Sequence, residues 1–133
     1  MFTANAKWVE KFQFESTGNS GHKLITDGES KVANSPMELV LNALCGCTAY
    51  DVVSILQKKR EPFIGVEVSA RAEKAPDPPR VYTSIELVYR VSGNVARKSV
   101  EDAVRLSEEK YCSVAAMLNT TAKITYRIEL DAK

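Results

Sequence analysis

The sequence predicts a single α+β domain over residues 1–133, and three observations predict it. An apolar stretch from Pro36 to Leu56 has the length of one long helix. Two runs of strict alternation, beginning at Val66 and Val81, flank a proline-rich turn and read as a hairpin. From Asn94 onward apolar residues recur at three- and four-residue steps, before a last alternating run from Ala122. Strands, long helix, hairpin, helix pair and strand follow one another without an internal repeat, low-complexity tract or linker, which makes one α+β domain.

Each element has its own warrant. Trp8, Phe12 and Phe14 suggest one N-terminal strand, and His22 to Thr26 another. Ser35 caps the long helix and Pro36 takes its first helical position, while Gln57-Lys58-Lys59-Arg60 brings positive charge to its end. Glu38, Asn42, Asp51 and Ser54 interrupt the apolar run, and an ionised carboxylate in either half is costly in lipid, so the segment reads as a core helix and not a membrane span. A helix apolar on nearly all sides is normally covered on all sides. One sheet covers one face, so a second subunit is implied.

In the hairpin, Val66, Val68, Ala70 and Ala72 alternate with polar residues, as do Val81, Thr83, Ile85, Leu87, Tyr89 and Val91, with Ala75-Pro76-Asp77-Pro78-Pro79 as the turn. Asn94 is placed to cap a second helix, whose apolar face is Val100, Ala103, Val104, Ser107 and Tyr111. A third, short helix runs from about Cys112 to Leu118 and ends at Asn119-Thr120-Thr121. Ala122, Ile124, Tyr126, Ile128 and Leu130 form the final strand.

Composition narrows the function classes. The chain of 133 residues carries eighteen Lys and Arg against seventeen Asp and Glu, a net charge of +1, with the signs interspersed. That argues against nucleic acid or an anionic membrane as the main partner. Met1 to Lys7 show no basic flank leading into an apolar stretch and cleavage site, so the expected location is the cytoplasm. In that compartment three cysteines are not a disulfide framework, and a bridge there is usually transient and catalytic.

Most site chemistries lack their parts. Cys45-Gly46-Cys47 is C-x-C, the one histidine is His22, and no second cysteine pair exists, so a zinc site is poorly supported. A lone His22 supports no hydrolytic triad. Gly18, Gly21 and Gly28 lack the strand-loop-helix context of a phosphate loop.

Cysteine chemistry remains. A reactive thiol needs stabilisation of its thiolate, from a helix N-terminus or a nearby cation. Cys112 is expected at such a terminus, whereas Cys47 is mid-helix and needs a cation from elsewhere in the fold. Buried, inert packing is the plain alternative for both, since free cysteine is among the most buried residue types. Cys45, about 200° round the helix from Cys47, reads as packing. Asp51 lies one turn beyond Cys47 on the same helical face, placed to hydrogen-bond in a pocket and, without a cation, to raise the pKa of a neighbouring thiol. A buried Asp paired with a lysine or a backbone group is the alternative. Tyr50 and Tyr111 are candidates to line an apolar substrate pocket, with core packing as the plain alternative.

The stretch Ser35-Pro36-Met37-Glu38-Leu39-Val40-Leu41-Asn42-Ala43-Leu44-Cys45-Gly46-Cys47-Thr48-Ala49 resembles the signature of the OsmC/Ohr family of hydroperoxide-resistance proteins, in which a Pro-initiated central helix carries a reactive cysteine. A second family cysteine matches Cys112 in Glu109-Lys110-Tyr111-Cys112-Ser113-Val114. The resemblance runs from about Lys7 to Leu130 and is strongest to the short OsmC-like subgroup. It implies an OsmC-like fold, with an antiparallel sheet wrapped around the long central helix, in an intertwined homodimer.

It also implies a metal-free, flavin-free thiol peroxidase with no cofactor. Cys47 attacks the outer oxygen of a small organic or inorganic hydroperoxide and becomes a sulfenic acid, Cys112 condenses with it to a disulfide, and an external dithiol resets the pair. The family's Pro-Glu helix start reads Pro36-Met37 here, with Glu38 one position later, about 100° further round. Met37 and Glu38 therefore join Tyr50, Asp51 and Tyr111 as candidate pocket residues. The family's activating arginine is expected before the helix, where the chain offers Lys23 and Lys31 and no arginine. These departures motivate the alternative of a non-catalytic dimer that binds a small apolar ligand.

Overall fold

Lys11, with φ of 48°, turns the chain back on itself inside the segment expected to be one strand. In the computed structural model, which describes residues 1–131, this gives β1 (Ala4–Glu10) and β2 (Gln13–Gly18) as an antiparallel pair. Trp8 faces Phe14 across the ladder and its indole N–H donates to the Lys11 carbonyl at 2.8 Å. The apolar spacing read as one strand is therefore the two sides of a hairpin. β3 (Lys23–Asp27) pairs antiparallel with β2 and completes a three-stranded sheet.

The chain falls into two compact units, Met1–Asn42 and the remainder from Ala43, with the long helix α1 (Pro36–Lys58) beginning in the first and continuing in the second. In the first unit the buried Asp27 carboxylate accepts the amides of Glu29, Lys31 and Val32 at 2.9 to 3.1 Å, which orders the loop before α1. Ser35 Oγ then accepts from the Glu38 amide at 3.2 Å, and Glu38 Oε1 accepts from the Ser35 amide at 3.1 Å. This is a reciprocal capping box, which satisfies donors that the first helical turn leaves unpaired.

The second unit holds the core. Leu44, Thr48, Val52 and Leu56 recur every fourth residue on α1 and are fully buried. β4 (Phe63–Lys74) and β5 (Tyr82–Gly93) form the expected long hairpin, and Ile85, Leu87, Tyr89 and Val91 of β5 are buried with Val100, Ala103 and Val104 of α2 (Arg97–Leu106). Burying each larger aliphatic side chain is worth about 1.5–3 kcal/mol.

β6 (Lys123–Asp131) lies parallel to β5, the one ladder among the described residues that is not antiparallel. A parallel neighbour needs a crossover, and the helical segment between β5 and β6 supplies it.

Two local expectations are corrected. Asn94 does not cap α2: the helix starts at Arg97, and the capping position is Ala96, which has no side-chain acceptor. Glu61, from the loop before β4, does the work, accepting from the Ala96 amide and from Ser99 Oγ, both at 2.9 Å. Those two bonds hold its carboxyl below the usual range.

Nor does the apolar face continue to Tyr111. After Leu106 the chain makes a π-helical turn, Ser107–Tyr111, closed by the Cys112 amide on the Ser107 carbonyl at 2.9 Å. The wider turn breaks the 3.6-residue period and leaves Tyr111 half exposed, with the Lys110 ammonium 5.3 Å from its ring centroid.

Candidate active site

The inserted residue of the π-turn decides where Cys112 sits. It delivers Cys112 to the N-cap of α3 (Ser113–Leu118), where its sulfur accepts from the Ala115 amide at 3.4 Å and is almost wholly buried. α1 supplies the half-buried Cys47. The two thiols lie near enough for Cys47 to act on Cys112, and neither is in a disulfide. The nearness of Cys47 raises the Cys112 pKa and so favours its protonated form.

Burial, above all, pushes the Cys112 thiol up to about 12; the Ala115 amide opposes it, while the neighbouring Cys47 and the charge of Asp51 add to it. The expectation that a helix N-terminus activates Cys112 is thus corrected. One long amide bond from a six-residue helix does not offset the loss of water around the sulfur.

Beneath the thiols runs a chain of polar side chains. Ser107 Oγ lies 2.8 Å from Asp51 Oδ2 and 2.7 Å from Thr48 Oγ1. Thr48 Oγ1 lies 2.7 Å from Tyr89 Oη, which lies 2.5 Å from Glu108 Oε1. Thr48, Ser107 and Tyr89 are fully buried, so each hydroxyl requires its partners inside the protein. Burial is the largest influence on Glu108 and raises its carboxyl, against the opposing bond from Tyr89. Burial likewise places the Tyr89 hydroxyl far above its ordinary range, with the Glu108 bond adding to it.

The structure brings together Cys47, Cys112 and Asp51 among the residues singled out from the sequence. Among the described residues Asp51 is neither paired with a lysine nor bound to a backbone group; it accepts from Ser107, and its charge acts on Cys112. Tyr50 is 74% exposed and Tyr111 50%, so neither packs in the core of the chain. Met37 and Glu38 belong to the first unit, where Glu38 closes the helix cap and also accepts from Ser30 Oγ at 2.5 Å. Lys23 and Lys31 pair there with Glu15 and Glu29 at 3.8 and 3.7 Å. Cys45 is half-buried, and burial raises its thiol pKa. Among the described residues no three His, Cys, Asp or Glu side chains are grouped to hold a metal ion.

Thr48, Tyr89, Ser107 and Glu108 are the members that sequence reasoning passed over. Three of them carry a readable signal, a hydroxyl on an otherwise apolar stripe: Thr48 between Leu44 and Val52, Tyr89 between Leu87 and Val91, and Ser107 after Val104. A hydroxyl on a buried stripe demands a partner.

The sequence profile described as OsmC-like protein matches residues 27–127. The chain belongs to the OsmC-like family. Within it, the chain is 46% identical over 131 residues to Protein YhfA of Escherichia coli (strain K12), covering 97% of this chain and 98% of that one. A hypothetical protein from Aquifex aeolicus VF5 has a similar structure, with a TM-score of 0.86, 29% identity and 98% of each chain covered. The organic hydroperoxide resistance protein OhrB of Bacillus subtilis shares the fold at a TM-score of 0.69 and 12% identity, over 97% of this chain and 98% of that one. Neither the family description nor the name YhfA specifies an activity.

Proposed function

We propose that this OsmC-like protein reduces hydroperoxides with Cys47 as the attacking thiol and Cys112 as the resolving one. The observation that carries the reading is the nearness of the two thiols, close enough for Cys47 to act on the buried Cys112. A disulfide between them requires the two sulfurs to approach to bonding distance. Burial supports the division of roles. Cys112 is held as a buried thiol, which leaves the less buried Cys47 as the sulfur that meets the peroxide.

The steps balance. Cys47 thiolate displaces alkoxide or hydroxide from the outer peroxide oxygen and is oxidised to a sulfenic acid, and the leaving group takes up a proton. The Cys112 sulfur then attacks the Cys47 sulfur, the S–O bond breaks, and the hydroxyl departs as water with the proton lost from Cys112. An external dithiol reduces the disulfide by exchange. The cytoplasm is the compartment that suits such a cycle.

The working unit in this reading is a homodimer. α1 is long and apolar enough to cross a membrane by length and composition, yet only 22% of its most apolar window is buried. Gly46, Ala49, Tyr50, Val53, Ser54 and Gln57 border an open depression on its surface, and Trp8, Phe12 and Leu24 are also exposed. Apolar surface of this extent is what a second copy covers.

The test is peroxide consumption with a dithiol as the electron donor. Turnover is expected in the parent protein and only background in Cys47→Ser; equal turnover in the two overturns the assignment.

A further inference from the structure

We infer that Asp51 and Glu108 share a single proton through the hydroxyls of Ser107, Thr48 and Tyr89, and that the position of this proton governs how readily the buried Cys112 gives up its own.

Asp51, Ser107, Thr48, Tyr89 and Glu108 are joined by four oxygen-to-oxygen contacts of 2.5 to 2.8 Å, and each needs a hydrogen. Three hydroxyls supply three hydrogens. Were both terminal carboxyls ionised, one contact would bring two oxygens together with no hydrogen between them, a repulsion that a close-packed interior does not hold. A fourth hydrogen, on one of the two carboxyls, completes the set, and every bond in the chain then points the same way.

Two arrangements satisfy the count. With the proton on Glu108, the bonds run from Glu108 to Tyr89, Thr48, Ser107 and an ionised Asp51. With the proton on Asp51, every bond reverses and the negative charge sits on Glu108. Passing between them moves one negative charge from one end of the chain to the other and needs only small movements of hydrogens.

The surroundings favour one proton over none. Among the described residues neither Asp51 nor Glu108 has a Lys, Arg or His at ion-pair distance. Cys47 on α1, Cys112 at α3, and Tyr126 of β6, which meets the Tyr89 ring edge-on at 5.9 Å, are titratable groups beside the chain. None of these supplies a positive charge. The raised carboxyl of Glu108 agrees with the arrangement that places the proton there.

The link to the thiols is electrostatic, and it rests on the peroxidase reading above. Ionised Asp51 makes the Cys112 thiolate harder to form. A proton moved to the Asp51 end withdraws that charge and eases the attack of Cys112 on the Cys47 sulfenic acid. Ser107, Thr48 and Tyr89 are thus positioning residues for the resolving step.

The test uses three forms of the protein, with carboxyl titrations followed by carbon-13 NMR. In the parent, one of the two carboxyls is expected to stay protonated through pH 7. Thr48→Val cuts the chain into two halves with one hydrogen for each remaining bond, so the shared proton should be lost and Glu108 should titrate at least one pH unit lower. Thr48→Ser, which keeps the hydroxyl, should restore the parent titration. Ordinary titration of both carboxyls in the parent, or an unchanged Glu108 in Thr48→Val, overturns the shared proton.

In the same proteins disulfide formation after a peroxide pulse is followed against pH. The Thr48→Val profile should move to higher pH, and closure at pH 7 should slow about tenfold for every pH unit that the profile moves. An unmoved profile overturns the electrostatic link. Absence of any sulfenate in the parent would count against the peroxidase reading alone, because the carboxyl titrations involve no peroxide.

Discussion

Cys47 raises the pKa of Cys112, and Cys112 is the more buried of the two residues. The helix-cap position that suggested an activated Cys112 instead holds a thiol that keeps its proton. In the proposed cycle, such a thiol stays out of reaction until Cys47 is oxidised.

Alkylation should reveal this order. With iodoacetamide at pH 8, Cys112 of the reduced native protein should be the slowest of the three cysteines to label, followed by mass spectrometry of peptides. Rapid labelling of Cys112 in the folded protein would refute its assignment as the protonated, buried partner. In Cys112→Ser, peroxide should leave a Cys47 sulfenic acid that a 1,3-dione traps, with no intrachain disulfide.

The same thiol gives stability an alkaline limit. Its folded pKa is raised from 9.0 to about 12, so the native state binds the proton more tightly than the unfolded chain does. This contribution is complete below pH 9 and is lost as pH climbs toward 12. Denaturation midpoints of the parent should fall across that window, and those of Cys112→Ala should fall less.

Glu61 sets an acid limit of the opposite sign. Its folded pKa is depressed, so its contribution is present above the ordinary value of 4.5 and is lost as pH falls through the folded value. Glu61→Gln should lower the thermal midpoint at pH 7 and flatten the dependence on pH below 4.5. An equally steep acid limb in the variant would show that the cap of α2 does not depend on this charge.

The core makes a sharper demand than the surface. Leu44 is fully buried, and Leu44→Ala should cost about 2–5 kcal/mol in denaturant unfolding. Tyr50→Glu, on the exposed face of α1, should instead shift sedimentation toward the monomer while the circular dichroism spectrum stays folded. A parent protein that sediments as a monomer at all concentrations would rule out the dimer.

What could be read from the chain alone was whatever depends on local periodicity. The alternation from Val66 and Val81 became β4 and β5, the Ser35-Pro36 start became a capping box with Glu38, and the apolar run from Pro36 to Leu56 became α1. The resemblance also paired Cys47 with Cys112. The parts decided by tertiary structure are those in which distant groups compete for water or for one another. Glu61 outranks Asn94 as a cap because it reaches the amide of Ala96 from another loop. The π-turn turns Tyr111 outward and Cys112 inward, a one-residue departure that no 3.6-residue pattern reveals. Burial then inverts the expected chemistry of Cys112, and only the folded chain sets Thr48, Tyr89 and Ser107 between two carboxyls. Sequence marks which side chains are able to react, but the protonation of each depends on its solvation and its neighbours, which the fold supplies.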